Sequence, residues 1–266
     1  VHTVDWTRYH DVDFTDQVKT GVKLEVLREL AVKTSTYPDG FTLRVGVTTV
    51  VDAGCSGWRN FADFKDRIID RSRTRVLAFL NIVGNGMRGG KLEQDLADME
   101  AKPTAEMALR HKGLIVGIKT AHYEGPEWAP VERSVEAGTI ADVPVLVDFG
   151  ANKAERPLAE LVTKMLRPGD IYAHMYSGLR RELTEEGLVN PGMVEGRKRG
   201  VLFEVGHGGG SFSWGVAVPA IKQGFLPDAI STDTRLSQRS NIDCSRGSPR
   251  GSRTLGKNTS CSKRWW

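Results

Sequence analysis

Five side chains of catalytic type recur along the chain in one local setting: Lys119, Asp148, His174, His207 and Asp233. Each stands near the C-terminal end of a short apolar run, and Asp52 and Asn81 hold the same place in two earlier runs. Histidine and carboxylate gathered at strand ends are the ligand mix of a catalytic zinc-type site. Such an ion draws the pKa of bound water towards neutrality and polarises a carbonyl. A carboxylate such as Asp233 beside that water can take its proton and return it to a leaving group. Lys119 follows LIVGI, so its stem starts in a desolvated place. A neutral amine there is a nucleophile; an ammonium there either snorkels to water or pairs with Asp148.

The elements that position these residues are legible as runs. They read VTTVVDAG (47–54), VLAFLNIVG (76–84), LIVGIKTA (114–121), VPVLVDFG (143–150), IYAHMYSG (171–178), VLFEVGHG (201–208) and AISTD (229–233). Near-continuous apolar runs of this length suit parallel strands covered on both faces. Their polar residues lie 26 to 38 residues apart, about one βα unit each. Helical stripes fall between them: Phe61, Phe64, Ile68 and Ile69 in one unit, and Leu158, Leu161, Val162 and Met165 in another. The second stripe is followed by Arg167-Pro168-Gly169-Asp170, a stop and turn.

Alternating strands and helices imply a parallel sheet, closed as a (β/α)8 barrel or open and doubly wound. Polar residues at many strand ends favour the barrel, because an open sheet binds ligands at one switch point. Polar residues that merely end strands explain one or two of the seven cases. A barrel needs eight strands, and only VHTVDWTRY (1–9) is available before the first run, ahead of a helical stripe at Val22, Val26, Leu27 and Leu30. The expected fold is therefore α/β, an incomplete (β/α)8 TIM barrel lacking most of strand one and the last helix.

Composition bounds the rest. The 266 residues are 39% hydrophobic with 29 glycines, which excludes a disordered or collagen-like chain. No apolar run is long enough to cross a membrane as a helix, and no signal segment opens the chain, so no membrane partner is expected. The net charge of +4 misleads. Residues 234–266 carry eight basic side chains and the single acid Asp243, which leaves residues 1–233 at −3. The chain divides into a mildly acidic barrel body (1–233) and a basic Ser/Arg-rich tail (234–266), expected to be disordered or non-native. The basic pI reports the tail, and no nucleic-acid partner is expected. Cys55 is the one cysteine of the body, which argues for a reducing, cytoplasmic setting.

The stretches VGVTTVVDAG, GIKT, GDIYAHMYSG, VGHGGGSF and DAISTD, from about Tyr37 to Asp233, resemble the amidohydrolase superfamily, in its deacetylase branch related to dihydroorotase. The resemblance implies a metal-dependent hydrolase of small amides or acyl esters, acting through metal-activated hydroxide. It implies one or two divalent ions, zinc above all, and a carbamate formed from Lys119 and carbon dioxide. It implies His174 and His207 as further ligands, and Asp233 as ligand and acid/base. Val1-His2-Thr3 matches the second half of the family's His-x-His pair, which makes His2 a ligand too. The chain departs from the family at Asp148, where a histidine is usual, at the absent first His, and after Asp233. A catalytically inactive fragment of such an enzyme is the alternative.

Lesser features complete the reading. The loop Asn85–Gly90 is glycine-rich but lacks the Lys-Ser/Thr of a phosphate loop. Arg88 within it can hold a substrate carboxylate, though a solvated loop arginine is the commoner case, and His122, just beyond Lys119, can contact substrate, though loop polarity alone also explains it. The expected partner is a small-molecule substrate, with homo-oligomerisation possible.

Overall fold

The computed structural model describes residues 38–88, 90–148, 150, 153–208 and 211–233. His2, the run at 1–9, the stripe from Val22 to Leu30 and the tail from Thr234 lie outside them.

Six of the apolar runs form strands: β1 (Thr49–Gly57), β2 (Arg75–Asn81), β3 (Ile115–Thr120), β4 (Val145–Val147), β5 (Ile171–Tyr172) and β6 (Leu202–Phe203). Every neighbouring pair is parallel, and the spatial order is the chain order, β1 to β6. The seventh run continues the series through a parallel bridge from Glu204 to Ala229. Strict sequential order decides between the two closures. A doubly wound sheet reverses direction at its switch point, whereas a barrel wall adds each strand beside the last. The described strands are such a wall, an incomplete (β/α)8 barrel that does not close among the described residues.

Helices fill the crossovers. They are α1 (Phe61–Phe64, drawn out by a π turn over Lys65–Ile69), α2 (Ala101–Arg110), α3 (Ala129–Ala141), α4 (Leu158–Glu160, with a π turn over Leu161–Met165), α5 (Pro191–Lys198) and α6 (Trp214–Lys222). The two predicted stripes face the core: Phe61, Phe64 and Ile68 are buried, as are Leu158, Leu161 and Val162, with Ile69 and Met165 packed at the margin. Asn190 starts α5 by accepting a hydrogen bond from the Gly192 amide, with Pro191 in the first turn. No helix among the described residues is long and apolar enough to cross a membrane.

The strands end earlier than the apolar runs. β5 and β6 are two residues each, although backbone bonds continue past them, from the Ala173 amide to the Val147 carbonyl and from the Met175 amide to the Glu204 carbonyl. The cause lies in His174, whose φ of 59° takes the chain out of extended geometry. At the other end of the sheet, Asp170 of the predicted turn ties two strands together. Its carboxylate accepts from the Val145 amide at 2.8 Å and from the Arg167 amide at 2.8 Å, and it is paired with the Arg167 guanidinium.

One glycine marks how tightly the sheet is packed. A Cβ on Gly117 of β3 would stand 2.1 Å from the Phe79 ring and 2.8 Å from the Pro144 carbonyl oxygen. Gly117→Ala should therefore destabilise the chain by about 1–3 kcal/mol in urea unfolding. A loss within about 0.5 kcal/mol, the range of a surface change, would contradict this packing.

Candidate active site

Five of the seven polar strand ends divide into two kinds. Asp52 and Asn81 are structural. The Asp52 carboxylate accepts from the amides of Gly54 (3.2 Å) and Cys55 (2.8 Å). The Asn81 side chain donates to the Gly54 carbonyl and accepts from the Val83 amide, each at 3.0 Å. Together they fold the end of β1 so that Gly54, at φ 97°, lies against the stem of Lys119. A Cβ at Gly54 would stand 2.7 Å from Lys119 Cγ, so glycine is required by both conformation and space.

Lys119, Asp148 and His174 are the second kind, buried at or just past the C-terminal ends of β3, β4 and β5. Asp148 is the hub. Its Oδ1 is 2.5 Å from the Arg180 guanidinium. Its Oδ2 is 3.4 Å from His122 Nε2 and 3.3 Å from His174 Nε2. Burial alone would raise its pKa. The contacts with both imidazoles, and the charges of Lys119 and Arg180, outweigh burial and hold the carboxyl well below the usual range.

Each imidazole is anchored at its other nitrogen. His174 Nδ1 is 2.8 Å from the Gly206 carbonyl oxygen, which can only accept, so Nδ1 carries a hydrogen. His122 Nδ1 is 2.8 Å from the buried carboxylate of Glu93. Burial works against a charged His122, but Asp148 and Glu93 override it and push its pKa up to about 9. Three residues of the region hold left-handed backbone, His122 (58°), His174 (59°) and Asp233 (42°). Strain of this kind persists only where the surroundings over-determine it, and it concentrates at functional sites.

Arg180 is itself braced. Its Nε donates to the Gly150 carbonyl, its amide donates to Glu182 at 3.0 Å, and Glu182 is hydrogen-bonded to Ser177. Burial of the guanidinium is outweighed by Tyr172, Asp148 and Glu182, and its pKa lies above the ordinary arginine value.

The remaining predicted residues are placed less tightly. The turn from Gly206 to Gly208 joins two of them: Gly206 lies against His174 and Gly208 against the buried Asp233. His207 between them is exposed, its ring 6.5 Å from that of Phe212. Arg88 is half-buried, and its Nε donates to the Asn85 carbonyl of its own loop at 3.3 Å. His122 faces Asp148 and Glu93. Arg180, Glu93 and Glu182 were not foreseen from the sequence. Arg180 and Glu182 lie in the loop SGLRRE, and Glu93 in a polar 3-10 turn, where no periodicity marks a residue as buried.

Among the described residues, no group of three or more His, Cys, Asp or Glu side chains is gathered tightly enough to hold a metal ion as it stands. The donor chemistry nonetheless fits one. A neutral histidine whose Nδ1–H is fixed on a backbone carbonyl offers Nε2 as a ligand, and His174 has its Nδ1 so placed.

No family model matches the chain. It is 36% identical over 199 residues to a deacetylase of Brucella anthropi, an alignment covering 71% of this chain and 48% of that protein. The fold is shared with an adenine deaminase (TM-score 0.71, 27% identity, 77% of this chain and 56% of that one). It is shared also with a dihydroorotase (TM-score 0.60, 31% identity, 71% of this chain and 54% of that one). The chain belongs to the amidohydrolase superfamily. It spans about half the length of the curated relatives it matches. The solved structures it resembles are barrels, which agrees with the sequential wall described above, and the superfamily implies a divalent metal.

Electrostatics at the hub give a pH prediction. Stability from His122 is full below its ordinary value of 6.5 and is lost as pH rises through about 9. Stability from Asp148 is present above its ordinary value of 3.8 and is lost as pH falls through its depressed value. In chelator-treated protein the His122 ring should titrate by NMR near 9, and Asp148→Asn should bring it down. A wild-type midpoint near 6.5 would contradict the contacts with Asp148 and Glu93.

Proposed function

We propose that this chain carries the strand-end machinery of a metal-dependent hydrolase that opens a small amide or acyl ester, of the N-acyl or O-acyl deacetylase type. The observation that carries the proposal is the burial of Lys119, Asp148 and His174 at three consecutive strand ends, with the His174 tautomer fixed by the Gly206 carbonyl. The deacetylase name of the relatives supports the substrate class.

Lys119, as its carbamate, and His174 would hold the divalent ion, zinc or a similar metal, from the buried end of the site. When bound, such an ion lowers the pKa of water and polarises the scissile carbonyl. The chain's own residues supply the rest. Asp233 takes a proton on its carboxylate from the attacking water and hands it to the departing nitrogen or oxygen. Its left-handed backbone and its contact with Gly208 hold it at the turn that also backs His174. His207 is exposed beside Phe212, which suits contact with substrate better than a ligand's place. Arg88, on the loop after β2, would hold a substrate carboxylate.

The test is elemental analysis and turnover of the zinc-loaded chain on N-acetylated and O-acetylated small acids. The expected result is bound metal that is lost in Lys119→Ala, and a fall in kcat of about 10²–10⁴-fold in Asp233→Asn. A chain that takes up no divalent metal, or an Asp233→Asn variant as fast as wild type, would sink the proposal.

A further inference from the structure

The loop after β2 that carries Arg88 is held by a carboxylate outside the hub. Asp98 ends a 3-10 turn (Leu96–Asp98) ahead of α2. Its Oδ2 accepts from the backbone amide of Asn85 at 3.0 Å and from the Asn85 side-chain amide at 3.2 Å. Its backbone carbonyl accepts from the Gly84 amide at 2.8 Å, next to an antiparallel bridge between Val83 and Met99. Oδ1 accepts from Arg59 Nε at 2.7 Å, and the Arg59 guanidinium lies over the Trp58 ring. Gly84 makes room for the knot: a Cβ there would stand 2.7 Å from Asp98 Oδ1 and 2.9 Å from Arg59 Nε.

What Asp98 fixes reaches Arg88 through one residue. The Asn85 carbonyl accepts from Arg88 Nε at 3.3 Å and from the Asn60 side chain at 3.0 Å. Asn85 is thus held on its donor side by Asp98 and on its acceptor side by Asn60, and Arg88 leans on a fixed oxygen. The loop is also tied to the strand end that backs Lys119. The Met87 amide donates to the Gly54 carbonyl at 3.1 Å, and Gly54 is the glycine packed on the Lys119 stem. Arg88 therefore follows directly on a residue anchored beside Lys119. An arginine braced in this way loses less freedom when it takes up a planar anion.

We propose that Asp98 is a positioning residue for substrate recognition: through Asn85 it holds Arg88 ready for the carboxylate of the substrate. The arrangement selects acyl compounds that carry a free carboxylate over their neutral amides. The inference rests on the role given to Arg88 above, and its test does not require turnover.

The test is NMR titration of the chelator-treated full chain with N-acetylalanine and with its neutral counterpart N-acetylalaninamide. Wild type should favour the acid. Asp98→Ala should weaken acid binding about tenfold and leave amide binding unchanged, as loss of one charge-assisted contact would. Added to Arg88→Met, it should cost nothing further, because Asp98 acts through Arg88. An equal loss for acid and amide, or a full further loss in the Arg88→Met background, would make Asp98 merely structural and overturn the inference. Undiminished acid preference in Asp98→Ala would overturn it and leave the role of Arg88 intact. A wild type that does not distinguish the two compounds would overturn both. Hydrogen exchange gives a check that needs no variant: the Asn85 and Met87 amides of wild type should be protected. Exchange at the rate of a free peptide would overturn the inference even if Asp98→Ala fails to fold.

Discussion

The upper face of this sheet depends on one buried carboxylate and the cations around it. An unpaired charge in such a place would be expensive. Asp148 is tolerated because Arg180 reaches it from the loop after β5, while His122 arrives from the loop after β3 and His174 from the end of β5 itself. Three successive strand ends are thereby joined through a single side chain. Arg180 in turn is fixed by the Gly150 carbonyl and by Glu182, which is held by Ser177. Removing any one member leaves the others buried and incompletely satisfied, so the cluster behaves as a unit.

Glycine placement serves the same end. Gly54 admits the Lys119 stem, Gly206 admits the His174 ring, and Gly208 admits Asp233. Each close approach lets a polar side chain sit against backbone rather than against another side chain, which keeps the strand ends polar and narrow. Strain stored at His122, His174 and Asp233 is then held by surrounding contacts, as expected where geometry serves chemistry. The proton carrier and ligands proposed above would lie at separate strand ends, and a parallel wall in sequential order holds such ends rigid.

Much of this was legible in the amino-acid sequence because it rests on periodicity. The apolar runs became parallel strands in chain order, and the stripes at Phe61–Ile68 and Leu158–Val162 became buried helix faces. Lys119, Asp148 and His174 stood out because a polar residue ending an apolar run is a strong local contrast. Asp52 and Asn81 show the same contrast for a different reason: they satisfy backbone groups at a bend, and only geometry separates the two uses. The residues that were not legible lie in loops. Arg180 is buried and its neighbour Arg181 exposed, yet the two are alike in sequence. Glu93 is buried by a loop that folds over His122, a long-range contact without a local signature. The short extents of β5 and β6 were also hidden, because the turn at His174 depends on the Gly206 carbonyl contributed from after β6.

The coupling between Arg180 and Asp148 is the most direct measure of whether this cluster organises the site. A double-mutant cycle with Arg180→Met and Asp148→Asn, read by urea unfolding of chelator-treated protein, isolates it. The pair should show a coupling of about 2–3 kcal/mol, with each single change more damaging than its share of the double. Additivity within about 0.5 kcal/mol would mean that Asp148 is held by something other than Arg180, and the account of the strand ends built on that pair would be wrong.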